Sequence, residues 1–141
     1  MSEQYRGTRP TRDISWFAIV LLLALLIFPA LAILRIGRIV DLRYIAAYAF
    51  LLSIVTGFLY RHDKRQAQSG GWRTPESTLH LLELLGGWPG AYLAQRILRH
   101  KISKTSYQVI FWMIITLHEF IALDFIQHWR YSRDFLQLFQ S

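Results

Sequence analysis

Cysteine is absent from the 141 residues. That excludes disulfides, thiolate metal sites and cysteine nucleophiles. Acidic residues are scarce: nine Asp and Glu stand against sixteen Lys and Arg, for a formal net charge of +7. Charge of either sign is thin, at 18% of residues. An ordinary soluble domain carries roughly 25%. There is no phosphate-cradling glycine loop followed by Lys-Ser/Thr, no serine-nucleophile signature and no His-Glu-x-x-His. Internal repeats and low-complexity tracts are also missing. The familiar signatures of a soluble enzyme are therefore not here.

What is present is apolar, with 53% hydrophobic residues in one domain's length of chain. A soluble chain of this size can bury a core, but not three long uncharged runs. In a membrane protein, Lys and Arg collect in cytoplasmic loops and set orientation. The basic excess therefore reads first as topology and only second as nucleic-acid affinity.

Residues 1–13 are polar, carry Arg6, Arg9 and Arg12, and read as a cytoplasmic arm. Residues 14–34 hold no charge and are long enough to span a bilayer core, with Pro29 as a kink. A rival reading is a cleaved secretory signal ending at Ala30-Leu31-Ala32. The run is longer than a signal core, so the spanning helix is preferred. Arg35, Arg38, Asp41 and Arg43 form a polar connection, closing a first segment at residue 43. Residues 44–60 are a second uncharged run with aromatics at both ends, as interfacial anchoring predicts. A basic loop, residues 61–75, follows. The third span is read over residues 107–126, and residues 127–141 form an amphipathic tail suited to the membrane surface.

Residues 76–100 are harder to place. Thr74 is a candidate N-cap, Pro75 a first helical residue and Glu76 a first-turn acid. The helix runs to Leu85. Gly86, Gly87, Trp88, Pro89 and Gly90 then form a break, and Pro89 opens a second helix. Each arm is only about 15–18 Å long at helical rise, too short to cross alone. Arg61, Lys64, Arg65 and Arg73 precede the segment, and Arg96, Arg99, Lys101 and Lys104 close or follow it. Together they are half of the sixteen basic residues. A single span would split these clusters across the membrane. A hairpin keeps all eight on one side, as the positive-inside rule prefers. The expected fold is an all-α membrane protein with three transmembrane helices plus a re-entrant or interfacial helical hairpin.

Polar residues suggest candidate sites. Glu76, His80 and Glu83 fall in one helical stripe, and with Arg73, Gln95 and Arg96 they form a candidate functional face. Pairing of Glu76 or Glu83 with Arg96 or Arg99 would neutralise charge near lipid. Arg99, His100, Lys101 and Lys104 suit anionic head groups or a protein partner. Trp72, Trp88 and Trp112 read as interface anchors. Glu119 is an ionisable group inside the third span, about 18 Å from its start. Such a group is costly in lipid and suits proton or ion handling, or pairing with His118 or a basic neighbour. His118 and Glu119 point about 100° apart and cannot share a centre. Asp124 and His128 share a face. No dense ligand motif occurs, so no metal or cofactor is expected and no catalytic residue is assigned.

The residues from Asp63-Lys64 through Trp72-Arg73-Thr74-Pro75-Glu76, Gly86-Gly87-Trp88-Pro89-Gly90 and Arg99-His100-Lys101 to Phe111-Trp112 resemble a bacterial family of small membrane proteins. It is the domain-of-unknown-function family numbered 1294. With the preceding helix, the resemblance covers about half the chain. It implies a multi-pass protein of the bacterial inner membrane with no established activity. Some members carry a cold-shock domain. Residues 1–40 lack its aromatic-basic motif, so nucleic acid is not an expected partner.

Three functions remain open. The leading one is a non-enzymatic module engaging anionic lipid or a partner protein through a basic cytoplasmic face. The second is a small homo-oligomeric ion or proton transporter or channel using Glu119. The third is a membrane enzyme built on Glu76, His80 and Glu83.

Overall fold

The computed structural model describes residues 14–139. The predicted arm, with Arg6, Arg9 and Arg12, lies outside the described residues, as do positions 140–141 of the tail. Every regular element among the described residues is helical. Three stretches, Trp16–Ile36, Leu42–Ser69 and Thr105–Ile126, are long and apolar enough to cross a membrane.

The first stretch is two helices, α1 (Trp16–Leu25) and α2 (Ile27–Ile36). Pro29 has no N–H to donate to Leu25, so the ladder breaks at Leu26, one turn before the ring. The second stretch, α3 (Leu42–Ser69), starts at Asp41, whose side chain accepts from the Arg43 amide at 2.9 Å. This helix does not stop at residue 60. It continues nine residues into the segment read as a basic loop, leaving only residues 70–75 irregular. Residues 61–69 are mostly Arg, Lys, Gln and other helix-compatible types, and the first breaker is Gly70.

The broken segment is α4 (Glu76–Leu82), a wide turn (Glu83–Gly87) and α5 (Trp88–Leu98). Pro75, not Thr74, occupies the N-cap: its carbonyl accepts from the Thr78 amide at 3.1 Å. The turn lies three residues earlier than "GGWPG" suggests, and Trp88-Pro89-Gly90 already form the first turn of α5. Gly86 makes the reversal with φ at 112°, a conformation that a Cβ would strain.

The two arms fold back against α3. At the tip, the Tyr48 hydroxyl donates to the Leu85 carbonyl at 2.8 Å. At the base, the Lys64 ammonium donates to the Leu98 carbonyl. These contacts on α3 are sixteen residues apart, about 24 Å at helical rise. Gly90 sets the closeness of α3 and α5, since a Cβ there would lie 2.4 Å from the Ser53 carbonyl oxygen.

The last span is α6 (Thr105–Ile126), which packs on α2 and the hairpin. His128 and Trp129 both take left-handed backbone, at φ 59° and 60°, and turn the chain into α7 (Arg130–Leu138). The buried Asp124 carboxylate accepts from the Tyr131 amide at 2.9 Å and from the Ser132 amide and hydroxyl, which caps α7. Asp124 and His128 therefore do not act as a pair. His128 instead meets the Arg35 guanidinium, which also donates to the Ile126 carbonyl at 2.5 Å.

Burial runs opposite to that of a soluble protein. Tyr60, Asp63, Glu83, Gln95, Lys101 and Tyr107 are buried, while Phe17, Phe50, Phe58 and Met113 are exposed. Lipid-facing surfaces explain the inversion, because apolar side chains face hydrocarbon and polar ones face protein. It also corrects two sequence expectations. Tyr60 is a fully buried partner and not an interfacial anchor. Trp88 is 2% exposed within the core, unlike Trp72 at 90%.

Candidate functional site

Two polar layers are stacked between α3, the hairpin and α6. The lower layer surrounds Asp63, which the helical extension of α3 carries to the base of the hairpin. Its Oδ2 lies 2.7 Å from His100 Nε2, 3.3 Å from Lys101 Nζ and 3.6 Å from the Arg73 guanidinium. Lys101 also pairs with Glu76 at 2.9 Å, and Lys104 pairs with Glu76 at 2.8 Å. Arg99 and Lys101 hold left-handed backbone at φ 49° and 64°. Each such non-glycine residue costs about 1 kcal/mol or more. The two turns fold the chain so that His100 and Lys101 both reach Asp63. The hydrogen bond from Lys104, assisted by Lys101, holds the Glu76 carboxyl below the usual carboxylate range, against an opposing effect of burial.

The upper layer centres on Glu83. Its Oε1 accepts from the Tyr107 hydroxyl at 2.8 Å and from the Tyr60 hydroxyl, and those hydroxyls are 2.5 Å apart. Gln95 donates to the Tyr60 hydroxyl at 3.0 Å, and Gln108 donates to Gln95 Oε1 at 2.7 Å. Glu83 Oε2 meets His80 Nδ1 at 2.7 Å. The His80 ring stacks on Tyr107 with centroids 4.1 Å apart. The layers join where Gln108 donates to the Lys101 carbonyl and the Lys101 ammonium sits over the Tyr107 ring.

The expected pairing of Glu76 or Glu83 with Arg96 or Arg99 does not form. Glu76 belongs to the lysines and Glu83 to the tyrosines and His80. Arg96 instead lies over the Tyr92 ring at 3.4 Å and donates to the Tyr92 carbonyl. Of the four residues read as a head-group cluster, His100 and Lys101 are turned inward to Asp63, Lys104 pairs with Glu76, and Arg99 is exposed. Glu76, His80 and Glu83 share a helix face, but Glu76 belongs to the lower layer and His80 and Glu83 to the upper one.

Sequence reasoning missed Asp63 as the hub, and Tyr60, Tyr107 and Gln108 as partners. The signal for Asp63 was available: the Asp-Lys pair follows an apolar helix with no breaker between them. Two buried atoms of these layers lack a partner, Asp63 Oδ1 and His80 Nε2. With Nδ1 held by Glu83, His80 presents Nε2 as a proton acceptor or a single metal-ligating nitrogen. Among the described residues no three His, Asp or Glu side chains converge on one point. Glu119 stands apart. It is half-buried with an unpartnered oxygen, and His118 bonds to the Ile114 carbonyl instead of to it.

Comparison with known proteins places this same region in a family. The family model described as "Protein of unknown function (DUF1294)" matches residues 53–107. That window includes every member of both layers except Gln108. The uncharacterized protein YsdA of Bacillus subtilis (strain 168) is 34% identical over 64 residues, spanning 45% of this chain and 72% of that protein. No solved structure matches the chain. The chain belongs to the DUF1294 family of proteins of unknown function.

Proposed function

We propose that the protein is a non-enzymatic, multi-pass module of the bacterial plasma membrane. Its hairpin re-enters the membrane from the cytoplasmic side, and the basic base of that hairpin engages anionic lipid. The state of the charges at the base carries this reading. Asp63 and Glu76 occupy His100, Lys101 and Lys104, whereas Arg61, Arg65 and Arg99 stay exposed with no ion pair or hydrogen bond among the described residues. Three unneutralised guanidiniums at one end suit phosphate head groups, each basic side chain near an anionic leaflet being worth about 1 kcal/mol.

Orientation has support at the opposite end. Arg35 is bound by α6 carbonyls and Arg43 by Asp41 at 2.8 Å, which leaves Arg38 as the one arginine of the connection between the first two spans that is exposed without a side-chain partner among the described residues. The test compares lipid co-purified with the wild-type chain and with a combined Arg61→Gln, Arg65→Gln, Arg99→Gln variant. The wild type should be enriched in anionic over zwitterionic lipid, and the variant should carry the bulk membrane ratio. Equal enrichment in both would overturn the reading, and an acidic protein co-purifying in place of lipid would replace it with a protein-partner reading.

A second reading, proton or ion movement, rests on the unpartnered oxygen of Glu119 inside α6. Vesicles holding the wild-type chain would dissipate a pH gradient, and Glu119→Gln would abolish the leak. A gradient as durable as in empty vesicles would end that reading.

A further inference from the structure

An open groove runs along the outer face of the contact between α3 and α5. Phe50, Ile54 and Phe58 wall one side, Leu93 and Ile97 the other, and Arg61 closes the basic end. Its volume is about 490 Å³, within the range of small-molecule sites. The lining is almost wholly apolar apart from Arg61. Gly57 lines the groove, and a Cβ there would meet nothing within 4 Å, so a larger side chain at this position would project into open space. At Gly90, by contrast, the two backbones touch and fix the width.

We propose that this groove holds one acyl chain of an anionic phospholipid, with the lipid phosphate on Arg61. The inference rests on the reading that the hairpin base faces an anionic leaflet, and it assigns that lipid a seat. Three observations favour this occupant. The groove lies on a spanning helix among exposed apolar side chains, where the surrounding solvent is lipid. Its one charged residue stands where α3 passes from its uncharged run to its basic end, the level of head groups. That residue is an exposed arginine without a partner, Arg65 lies one turn further on, and Arg99 follows the groove residue Leu98. A guanidinium fork matches phosphate oxygens. A second copy of the chain fits less well. Two α3 helices packed in parallel through this groove would set Arg61 against Arg61 at one depth.

Gly57 makes the proposal testable without threatening the fold. Leucine is a better helix former than glycine, and the side chain has room. The full chain is placed in lipid nanodiscs of mixed phosphatidylglycerol and phosphatidylcholine, and lipid retained on release is counted by native mass spectrometry. The wild type is expected to hold one phosphatidylglycerol. Gly57→Leu should lower that retention roughly tenfold with helicity unchanged, and Arg61→Gln should remove the preference for phosphatidylglycerol. If Gly57→Leu retains lipid like the wild type while the triple arginine variant does not, lipid is held by diffuse charge. The groove proposal then fails and the broader reading stands. If neither variant changes retention, both fail. If Gly57→Leu converts a dimer to a monomer without changing lipid, the groove is a helix interface and the proposal is overturned.

Discussion

Glu76 opens the first arm of the hairpin, and Lys101 stands three residues past the end of the second, yet their side chains meet at 2.9 Å. A continuous helix between them would hold them about 37 Å apart. The contact therefore records the turnback itself. It places both basic clusters at one end of the molecule, and Asp63 joins it by binding Lys101 from α3.

Asp63→Asn should be the most damaging conservative change at the base. The carboxylate is fully buried, and the Lys101 ammonium, the Arg73 guanidinium and the His100 ring all depend on it. Breaking a buried pair by removing one partner costs about 3–5 kcal/mol. Thermal unfolding in detergent should show the loss. A double-mutant cycle with Lys101→Met should show coupling of about 0.5–3 kcal/mol. Additive effects would mean that the pair does not form.

Glu76 should make stability depend on acid. Its carboxyl is held below the usual range by Lys104 and Lys101, so the folded state binds its proton less readily than the unfolded one. The resulting stabilisation is complete above the ordinary carboxylate pKa and fades as pH falls through and below it. The side chain is about a third exposed, so solvent screening keeps the effect to about 1 kcal/mol or less. The melting-temperature gap between the wild type and Glu76→Gln should close between pH 6 and pH 3. A constant gap would place the role of Glu76 elsewhere.

Two glycines on α3 and α5 should respond oppositely to alanine. At Gly90 a Cβ would lie 2.7 Å from Ser53 Cα, and the forced separation should cost about 1–3 kcal/mol. At Gly57 no atom opposes the Cβ, and the gain in helix propensity should stabilise by about 0.5–1 kcal/mol. Melting temperatures moving in the same direction would contradict the packing described.

Asp124→Ala should loosen α7 and leave the hairpin intact. The carboxylate caps the Tyr131 and Ser132 amides, and losing such a cap costs about 0.5–2 kcal/mol. Hydrogen exchange should quicken over residues 130–138 alone. Quickened exchange in α4 and α5 would show that the two ends of the molecule are coupled.

The spans were legible in the sequence because uncharged runs of that length have few alternatives. Pro29 and Gly86 marked their breaks for the same local reason. The polar layers were not legible. Treating residues 61–75 as a loop put Asp63 in solvent, whereas nine more residues of helix carry it inward. Tyr60 and Tyr107 sit at the ends of apolar runs, the usual place of interface anchors. Only the register between α3, the hairpin and α6 shows that their hydroxyls converge on Glu83. His80 and Glu83 were placed on one stripe by helical spacing alone, which needs no tertiary information, but their contact with each other is read only from the structure.

The absence of native cysteine gives the central claim a direct test. Single cysteines replace Ser69 before the hairpin, Ser103 after it and Gln127 at the far end of α6, all exposed positions. Each is exposed to a membrane-impermeant thiol reagent added to sealed vesicles of known orientation. Ser69→Cys and Ser103→Cys should label from the cytoplasmic side, and Gln127→Cys from the opposite side. Labelling of the first two from opposite sides would mean that residues 76–100 cross the membrane, and the re-entrant hairpin would be wrong.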